Sequence, residues 1–369
     1  MEDNGQICLK VYHRADGRDI HYASSILRRQ VSNGSTQLLD PSTVDPGRIG
    51  VCWVLFYQAG PNRRLLESAL ARYSQNFVCP KDALFLCLNR PGKGGSSSLV
   101  GTCEKEYLHQ ASRDVITILD HYEIERTNLV YMCAGSSFAY HFASCYPERT
   151  TGHIIGMSSW VLRSVEIDGD KTVVKTPEMN SKVHKLAMSG WLPKGLLAYL
   201  GSGLTRIMLP VVINNLPEGW FVDAFKKELS SLENEEFEKV YPGDGARFLD
   251  MMRRLYADRP EDSVSVNEES SGNLKIPCNQ DGDAMDLAVC MSSQQELGLS
   301  YSWETFPTQE EILLFHGECD SMVSIAGAQY LARTLPNTTL FTEPYGSHQG
   351  GMLFYPTKVI DALNRISSK

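Results

Sequence analysis

The alternation of short apolar runs with longer stretches of helical period is the strongest constraint on the fold. Apolar runs occupy residues 51–57, 83–88 and 128–132, and residues 104–121 carry apolar side chains at helical spacing. Continuous apolar runs of this length are typical of strands buried on both faces of a parallel sheet. Strands that alternate with helices predict an α/β fold with a mostly parallel central sheet flanked by helices.

Helical patterns dominate residues 161–305, where this alternation is interrupted. Within them, a polar, acidic stretch near residues 259–283 is predicted to be a flexible loop. Strand and helix patterns alternate again toward the C-terminus. We therefore predict one core built from residues 1–160 and 306–369, into which residues 161–305 are inserted as a helical cap or lid.

The charge and hydropathy of the chain exclude two classes of partner. Lys and Arg number 35 against 44 Asp and Glu, and this net charge of −9 lacks the basic footprint of a nucleic-acid-binding protein. The most apolar stretch, residues 186–216, is interrupted by Lys194 and Arg206, so we predict no membrane span. We expect this stretch to be buried or to line a cavity, with a role at a membrane surface as the alternative.

The cysteines bear on the cellular compartment. The acidic N-terminus lacks the features of a signal peptide, so we expect a cytoplasmic protein whose ten cysteines are mostly buried, reduced thiols. They form no C-x-x-C pair, and their spacings match no zinc motif. No metal or cofactor is therefore expected, and the sequence does not indicate the oligomeric state.

The segment most informative about chemistry is Tyr-Met-Cys-Ala-Gly at residues 131–135, between a predicted strand and a predicted helix. A strand that turns abruptly into a helix lifts the side chain at the turn above the sheet, and the helix N-terminus favours a thiolate there. Cys133 occupies that place, and the small residues Ala134 and Gly135 permit a tight turn. Cys133 is therefore the candidate nucleophile, and Ser137 is the candidate of a rival register.

This segment resembles the nucleophile elbow of the α/β-hydrolase superfamily, whose usual pattern is G-x-S-x-G. Cys133 replaces the usual serine, as in dienelactone-hydrolase-like members, and Tyr131 replaces a glycine and is expected to crowd the turn. The resemblance implies the α/β-hydrolase fold and the order nucleophile, acid, histidine along the chain. Residues 315–323 resemble the family's H-G-x-x-D-x-x-V turn, which makes Asp320 the implied acid, and His348 stands where the family has its histidine.

The resemblance also implies an oxyanion hole made of backbone N–H groups. Its donors would be Ala134, which follows the nucleophile, and Gly60, in a Gln-Ala-Gly-Pro loop where the family has H-G-x-P. Gln58 of this loop, Trp160 and Trp191 are candidates for substrate binding. For the tryptophans, packing within the cap core is the alternative.

A glycine-rich loop and one further acidic residue each have an alternative interpretation. The glycine-rich loop at residues 89–96 lacks the spacing of a phosphate-binding loop. It resembles the structural D-R-P-G-x-G-x-S loop of the same family, with Asn89 in place of Asp. Glu318 is the nearest substitute acid, and we expect Asp320 rather than Glu318 to orient the histidine.

A Cys–His–Asp triad of this kind implies acyl transfer through a thioester intermediate. The expected function is cleavage of an ester, thioester or lactone of a hydrophobic small molecule, because the predicted cap is large and its first half is apolar. The alternatives are an acyltransferase, a C–C bond or cyclisation enzyme of natural-product biosynthesis (secondary metabolism), and a non-catalytic ligand-binding protein.

Overall fold

A computed structural model describes most of the chain. The described residues are 7–30, 35–57, 66, 69–70, 77–79, 81–99, 101–168, 171–174, 218–227, 229–241, 243, 245–246, 248–250, 264–265, 280–299, 301, 303–307, 310–348 and 356–368. The apolar stretch at residues 186–216 lies outside them. Within the described ranges, every helix is too short or too polar to cross a membrane.

A mixed, mostly parallel sheet forms the centre of the described structure. The strands are β1 (Cys8–His13), β2 (Asp19–Arg29), β3 (Thr36–Leu39), β4 (Ile49–Phe56), β5 (Asp82–Leu88), β6 (Thr127–Met132), β7 (Thr150–Met157), β8 (Val165–Asp168), β9 (Lys171–Val174), β10 (Val264–Ser265), β11 (Ile312–Gly317) and β12 (Thr338–Glu343). The sheet order is β10-β1-β2-β5-β4-β6-β7-β11-β12, and β3 pairs with β2. Neighbours from β5 to β12 are parallel, whereas β2 is antiparallel to β1, β3 and β5. The predicted fold class is confirmed.

Several helices of the described residues pack against this sheet. They are α1 (Glu104–His121), α2 (Gly135–Cys145), α3 (Glu218–Lys227), α4 (Ser231–Val240), α5 (Gln280–Met291), α6 (Ile325–Thr334) and α7 (Pro356–Ser367). At the start of α1, the Glu106 carboxylate accepts the Cys103 N–H at 3.3 Å, which satisfies a backbone donor that a helix start leaves open. The bounds of α1 coincide with the stretch predicted from sequence.

The core lies on both faces of the sheet, and β4 shows why its sequence is continuously apolar. Side chains of a strand point alternately to opposite faces. Cys52, Val54 and Phe56 pack with α1 and α2 on one face. The intervening Trp53 and Leu55 pack with apolar residues of α7 on the other. Both faces are covered, so neither can carry polar side chains.

Parts of the predicted cap contact the core directly. The strand β10 pairs in parallel with β1 at the sheet edge, and α5 packs against α1. The described part of residues 161–305 also contains the antiparallel hairpin β8–β9, which the helical pattern did not indicate. Most of the acidic stretch near residues 259–283 lies outside the described residues. The domain boundaries therefore stay a prediction.

Candidate active site

The turn at Cys133 joins the end of β6 to the start of α2. Cys133 has φ of 50°, in the left-handed region that side chains rarely adopt. Backbone hydrogen bonds hold it there: the Cys133 N–H donates to Met157 O at 2.9 Å, and Cys133 O accepts the N–H groups of Ser136 at 3.1 Å and Trp160 at 3.4 Å. The turn therefore presents Cys133 above the C-terminal end of the sheet, beside the N-terminus of α2.

Gly135 is required by how closely this turn approaches β4. A Cβ at Gly135 would lie 2.0 Å from Phe56 O, a distance that no side chain tolerates. The rival nucleophile, Ser137, lies within the first turn of α2 and is buried. Its hydroxyl has no hydrogen-bond partner among the described residues. The strand-to-helix junction is at Cys133, four residues before Ser137.

The crowding expected from Tyr131 is avoided by a glycine on the neighbouring strand. Tyr131 pairs with Gly156 of β7, where a Cβ would lie 2.2 Å from the tyrosine ring. The Tyr131 hydroxyl forms hydrogen bonds with the hydroxyls of Tyr140 at 2.9 Å and Ser159 at 2.8 Å. Burial raises the pKa of Tyr131 to about 12, so the phenol stays neutral and serves as a packing residue.

Asp320 and His348 form a buried pair. His348 Nδ1 lies 2.8 Å from one carboxylate oxygen of Asp320. The other oxygen accepts the N–H groups of Met322 at 2.9 Å and Val323 at 2.8 Å. Burial alone would raise the pKa of Asp320, but the hydrogen bond and charge of His348 outweigh burial and lower it. Asp320 is therefore an ionised carboxylate that orients the imidazole.

The second nitrogen of His348, Nε2, is buried and forms no hydrogen bond of good geometry with the described residues. The Cys133 thiol is close enough to interact with the same imidazole. Burial would lower the pKa of His348, but the hydrogen bond to Asp320 and the interaction with Cys133 outweigh it and raise the pKa to about 10. This imidazole therefore binds a proton strongly, which suits it to take the proton of a thiol.

A close backbone contact brings the acid loop and the histidine loop together. A Cβ at Gly317 would lie 2.1 Å from Gly346 O, so only glycine permits this approach. The Cys319 N–H donates to the same carbonyl at 3.0 Å. Glu318, the substitute acid, is exposed to solvent, and Asp320 is the carboxylate that bonds His348.

Two buried residues that sequence analysis did not single out support the pair. His316 Nε2 donates to Val323 O at 3.0 Å and so fixes the loop that carries Asp320. In α4, Glu233 accepts the Ser347 N–H at 2.8 Å, next to His348. His316 is the first residue of the recognised H-G-x-x-D-x-x-V turn motif, and this signal could have found it. Glu233 belongs to an S-x-x-E capping box with Ser230, which indicates only a helix start. Its contact with Ser347 spans more than a hundred residues and leaves no local signal.

The remaining candidates are only partly described. Ala134 is the N-cap residue of α2, where backbone N–H groups are free of helical partners. Trp160 lies beside the candidate nucleophile. Its backbone N–H donates to Cys133 O at 3.4 Å, and its backbone carbonyl accepts the Ser136 hydroxyl. Gln58, Gly60 and Trp191 lie outside the described residues.

A buried ion cluster anchors the chain just before the predicted oxyanion loop. Arg90 Nη1 donates to Tyr57 O at 3.0 Å, and the same guanidinium bonds both carboxylate oxygens of Asp286 at 2.7 and 2.5 Å. Lys93 Nζ lies 2.6 Å from Asp286. The glycine-rich loop at residues 89–96 thus joins α5 to the C-terminal end of β4.

Cys133, Asp320 and His348 follow β6, β11 and β12, and the C-terminal ends of parallel strands lie at the same edge of a sheet. The sheet order, the turn at Cys133 and this placement define the α/β-hydrolase fold.

Comparisons with solved structures agree with that fold. The chain is similar to 2-hydroxy-6-oxo-6-phenylhexa-2,4-dienoate hydrolase from Rhodococcus sp. strain RHA1, with a TM-score of 0.56 and 14% identity over 98% of this chain and 99% of that one. It is similar to a thermophilic esterase from Thermogutta terrifontis, with a TM-score of 0.54 and 12% identity over 99% and 100% of the two chains. The enol-lactonase from Burkholderia xenovorans LB400 has a TM-score of 0.50 and 13% identity over 94% and 97%. No family model and no curated protein matches the chain.

Proposed function

We propose that this chain is an enzyme that uses Cys133 as a nucleophile to cleave an ester, thioester or lactone of a hydrophobic small molecule. The observation that carries the proposal is the left-handed turn that presents Cys133 next to the buried His348–Asp320 pair. A nucleophile, a base and an acid that orients the base are the three parts that covalent acyl transfer needs.

The proposed cycle has two halves. The Cys133 thiol gives its proton to His348 Nε2, and the thiolate attacks the substrate carbonyl carbon to form a C–S bond. Collapse of the tetrahedral intermediate expels the alcohol or thiol, which takes the proton from His348. Water then gives a proton to His348 and attacks the thioester, and the Cys133 thiol leaves with that proton as the acid product is released.

The oxyanion of both tetrahedral intermediates requires donors that are already in place. The Ala134 N–H is one proposed donor, because it lies at the start of α2 directly after Cys133. The Gly60 N–H is the second proposed donor. Arg90 supports this assignment, since it holds the Tyr57 carbonyl and so anchors the loop that leads to Gly60.

The substrate class is proposed from the names of the similar structures and from the cap. Those structures are named as an esterase, an enol-lactonase and a dienoate hydrolase, so an ester, a lactone and a thioester form the first substrate panel. Residues 161–305 are proposed to cover the site and to select a hydrophobic acyl group, with Gln58, Trp160 and Trp191 in contact with it.

Intact-mass measurement after incubation with p-nitrophenyl esters tests the proposal. We expect one acyl group on the protein, mapped to Cys133, and none on Cys133→Ala. Cys103→Ser is the matched control, because Cys103 is exposed and far along the chain from the turn. An adduct at another cysteine, or none on any ester, thioester or lactone, contradicts the proposal and favours a ligand-binding protein.

The fate of the adduct separates hydrolysis from acyl transfer. Release of the free acid in buffer supports a hydrolase. An adduct that is stable in water but is discharged by an added amine or thiol favours the acyltransferase alternative instead.

A further inference from the structure

Three potential metal-ligating side chains lie where α1 and α2 pack together, at the far end of α2 from Cys133. They are His109 from α1 and His141 and Cys145 from α2, and one potential ligand atom from each lies within 4.8 Å of the others. His141 Nε2 lies 3.4 Å from Cys145 Sγ. The rings of His109 and His141 meet edge to face, with centroids 4.6 Å apart.

These distances are close to those around a tetrahedral zinc ion. Zn–N bonds of about 2.1 Å and a Zn–S bond of about 2.3 Å place two ligand atoms about 3.3–3.6 Å apart. The His141–Cys145 distance already fits. His109 would have to approach by about 1 Å, and it is the partly buried histidine of the two.

His141 is already arranged as a ligand. Its Nδ1 lies 2.8 Å from the Ser112 hydroxyl, and donation of the Nδ1 proton to Ser112 leaves a lone pair on Nε2, the nitrogen that faces Cys145. This outer hydrogen bond is the usual way in which a protein fixes the tautomer of a metal-binding histidine.

A buried polar group without a partner also occurs in this part of the fold. The Tyr301 hydroxyl is buried and has no hydrogen-bond partner among the residues that the structure describes. Tyr301 interacts electrostatically with Cys145. A buried hydroxyl without a partner is costly, and a bound water molecule would give it one.

We propose that His109, His141 and Cys145 bind one Zn²⁺ ion, with the fourth coordination position taken by water. Binding forms one Zn–S and two Zn–N bonds, and the Cys145 thiol proton leaves for the solvent with no change in oxidation state. Two imidazoles and one thiolate are ligands that zinc favours. The ion would join α1 to α2 about 15 Å along the helix from the elbow, so this site is independent of the proposed acyl chemistry.

Titration of chelator-treated protein with Co²⁺ and Zn²⁺ tests this site. We expect one Co²⁺ per chain with a thiolate-to-cobalt charge-transfer band, and displacement of Co²⁺ by Zn²⁺. Cys145→Ser should abolish the band, and His109→Ala should weaken Zn²⁺ binding at least tenfold, the size of effect expected when a metal site is disturbed. Both side chains are partly exposed, so these variants are expected to fold.

Two controls keep the result specific. Cys103→Ser removes an exposed cysteine next to α1, and Cys133→Ala removes the thiol beside His348; both should bind Zn²⁺ as the unaltered chain does. Zn²⁺ should also raise the Tm of the unaltered chain but not of Cys145→Ser. Absence of the thiolate band, retention of binding in Cys145→Ser, or loss of binding only in Cys133→Ala would each overturn the proposal.

Discussion

Single residues hold the candidate site in a conformation that carries a free-energy cost. The left-handed φ of 50° at Cys133 costs about 1–2 kcal/mol for a residue with a side chain. The surrounding contacts maintain it, since the Cys133 N–H and carbonyl are both hydrogen-bonded. The thiol is thereby presented above the sheet, where a regular helix or strand would not place it.

This strain predicts an order of stability between two variants that both lack the thiol. Cys133→Gly should be more stable than Cys133→Ala by about 1 kcal/mol, because glycine adopts positive φ without penalty. Urea denaturation of the two variants at the same pH measures the difference. Equal stabilities would mean that the turn relaxes when the side chain is removed.

The raised pKa of His348 predicts how stability depends on pH. The folded pKa of about 10 exceeds the usual 6.5, so the protonated imidazole contributes stability that is complete below about pH 6.5 and is lost as pH rises toward 10. The stability of His348→Gln should therefore fall less than that of the unaltered chain between pH 6.5 and pH 10, because the variant has no imidazole to lose its proton. Urea midpoints measured at pH 6.5, 8 and 10 check this. An equal change of the urea midpoint with pH in His348→Gln and in the unaltered chain would contradict this prediction.

At the scale of secondary-structure elements, the histidine loop depends on α4. Glu233 is buried, and its two carboxylate oxygens accept the N–H groups of Ser347 and Ser230, each at 2.8 Å. One side chain thus joins the start of α4 to the residue that precedes His348. The position of His348 is therefore set partly by α4, which lies in the sequence predicted as cap.

Replacing this carboxylate should slow acylation without unfolding the chain. Glu233→Gln turns one acceptor oxygen into an amide that cannot accept, so we expect a roughly tenfold slower rate of adduct formation at Cys133 through misplacement of His348. Glu235→Gln on the same helix is the matched control, because Glu235 is exposed. The rate is measured by intact mass over time, with Tm recorded for both. Equal rates of adduct formation in Glu233→Gln and the unaltered chain would show that the histidine loop keeps its position without this carboxylate.

The sequence predicted those elements whose signal is local. β4, β5, β6 and β11 are covered on both faces and read as apolar runs, and α1 has a clear helical period. The hairpin β8–β9 and the two-residue β10 were not predicted, because such short strands leave no periodic pattern. The candidate triad was found through motifs. Glu233 was not, since its role arises only when distant parts of the chain meet.

At the scale of the whole molecule, α5 is bound into the core by charge. Asp286 is fully buried and is the carboxylate that bonds both Arg90 and Lys93, which are themselves buried. Lys93 also contacts Asp283 at 2.7 Å. Removing the Asp286 carboxylate from this buried cluster would cost about 3–5 kcal/mol. Although α5 belongs to the sequence predicted as cap, we expect the core to depend on it.

Two deletions test this dependence. A chain that lacks residues 161–305 should fail to fold, because it loses α5 and with it Asp283 and Asp286, the carboxylates that pair with Lys93 and Arg90. A chain that lacks only residues 175–279 keeps α5 and should retain a cooperative thermal transition. Near-ultraviolet circular dichroism with thermal melts distinguishes them. A cooperative transition in the larger deletion would show that the ion cluster is dispensable.

The pairing of Tyr131 with Gly156 also constrains how this chain and its relatives can diverge. A ring at one position and the absence of a Cβ at the other fill a single space between β6 and β7, so neither residue can change alone without a clash or a void. An ancestor with glycine at position 131 could have gained the tyrosine ring there only after position 156 had lost its side chain. The two positions should therefore covary in size among homologues, and the order of the two substitutions is fixed.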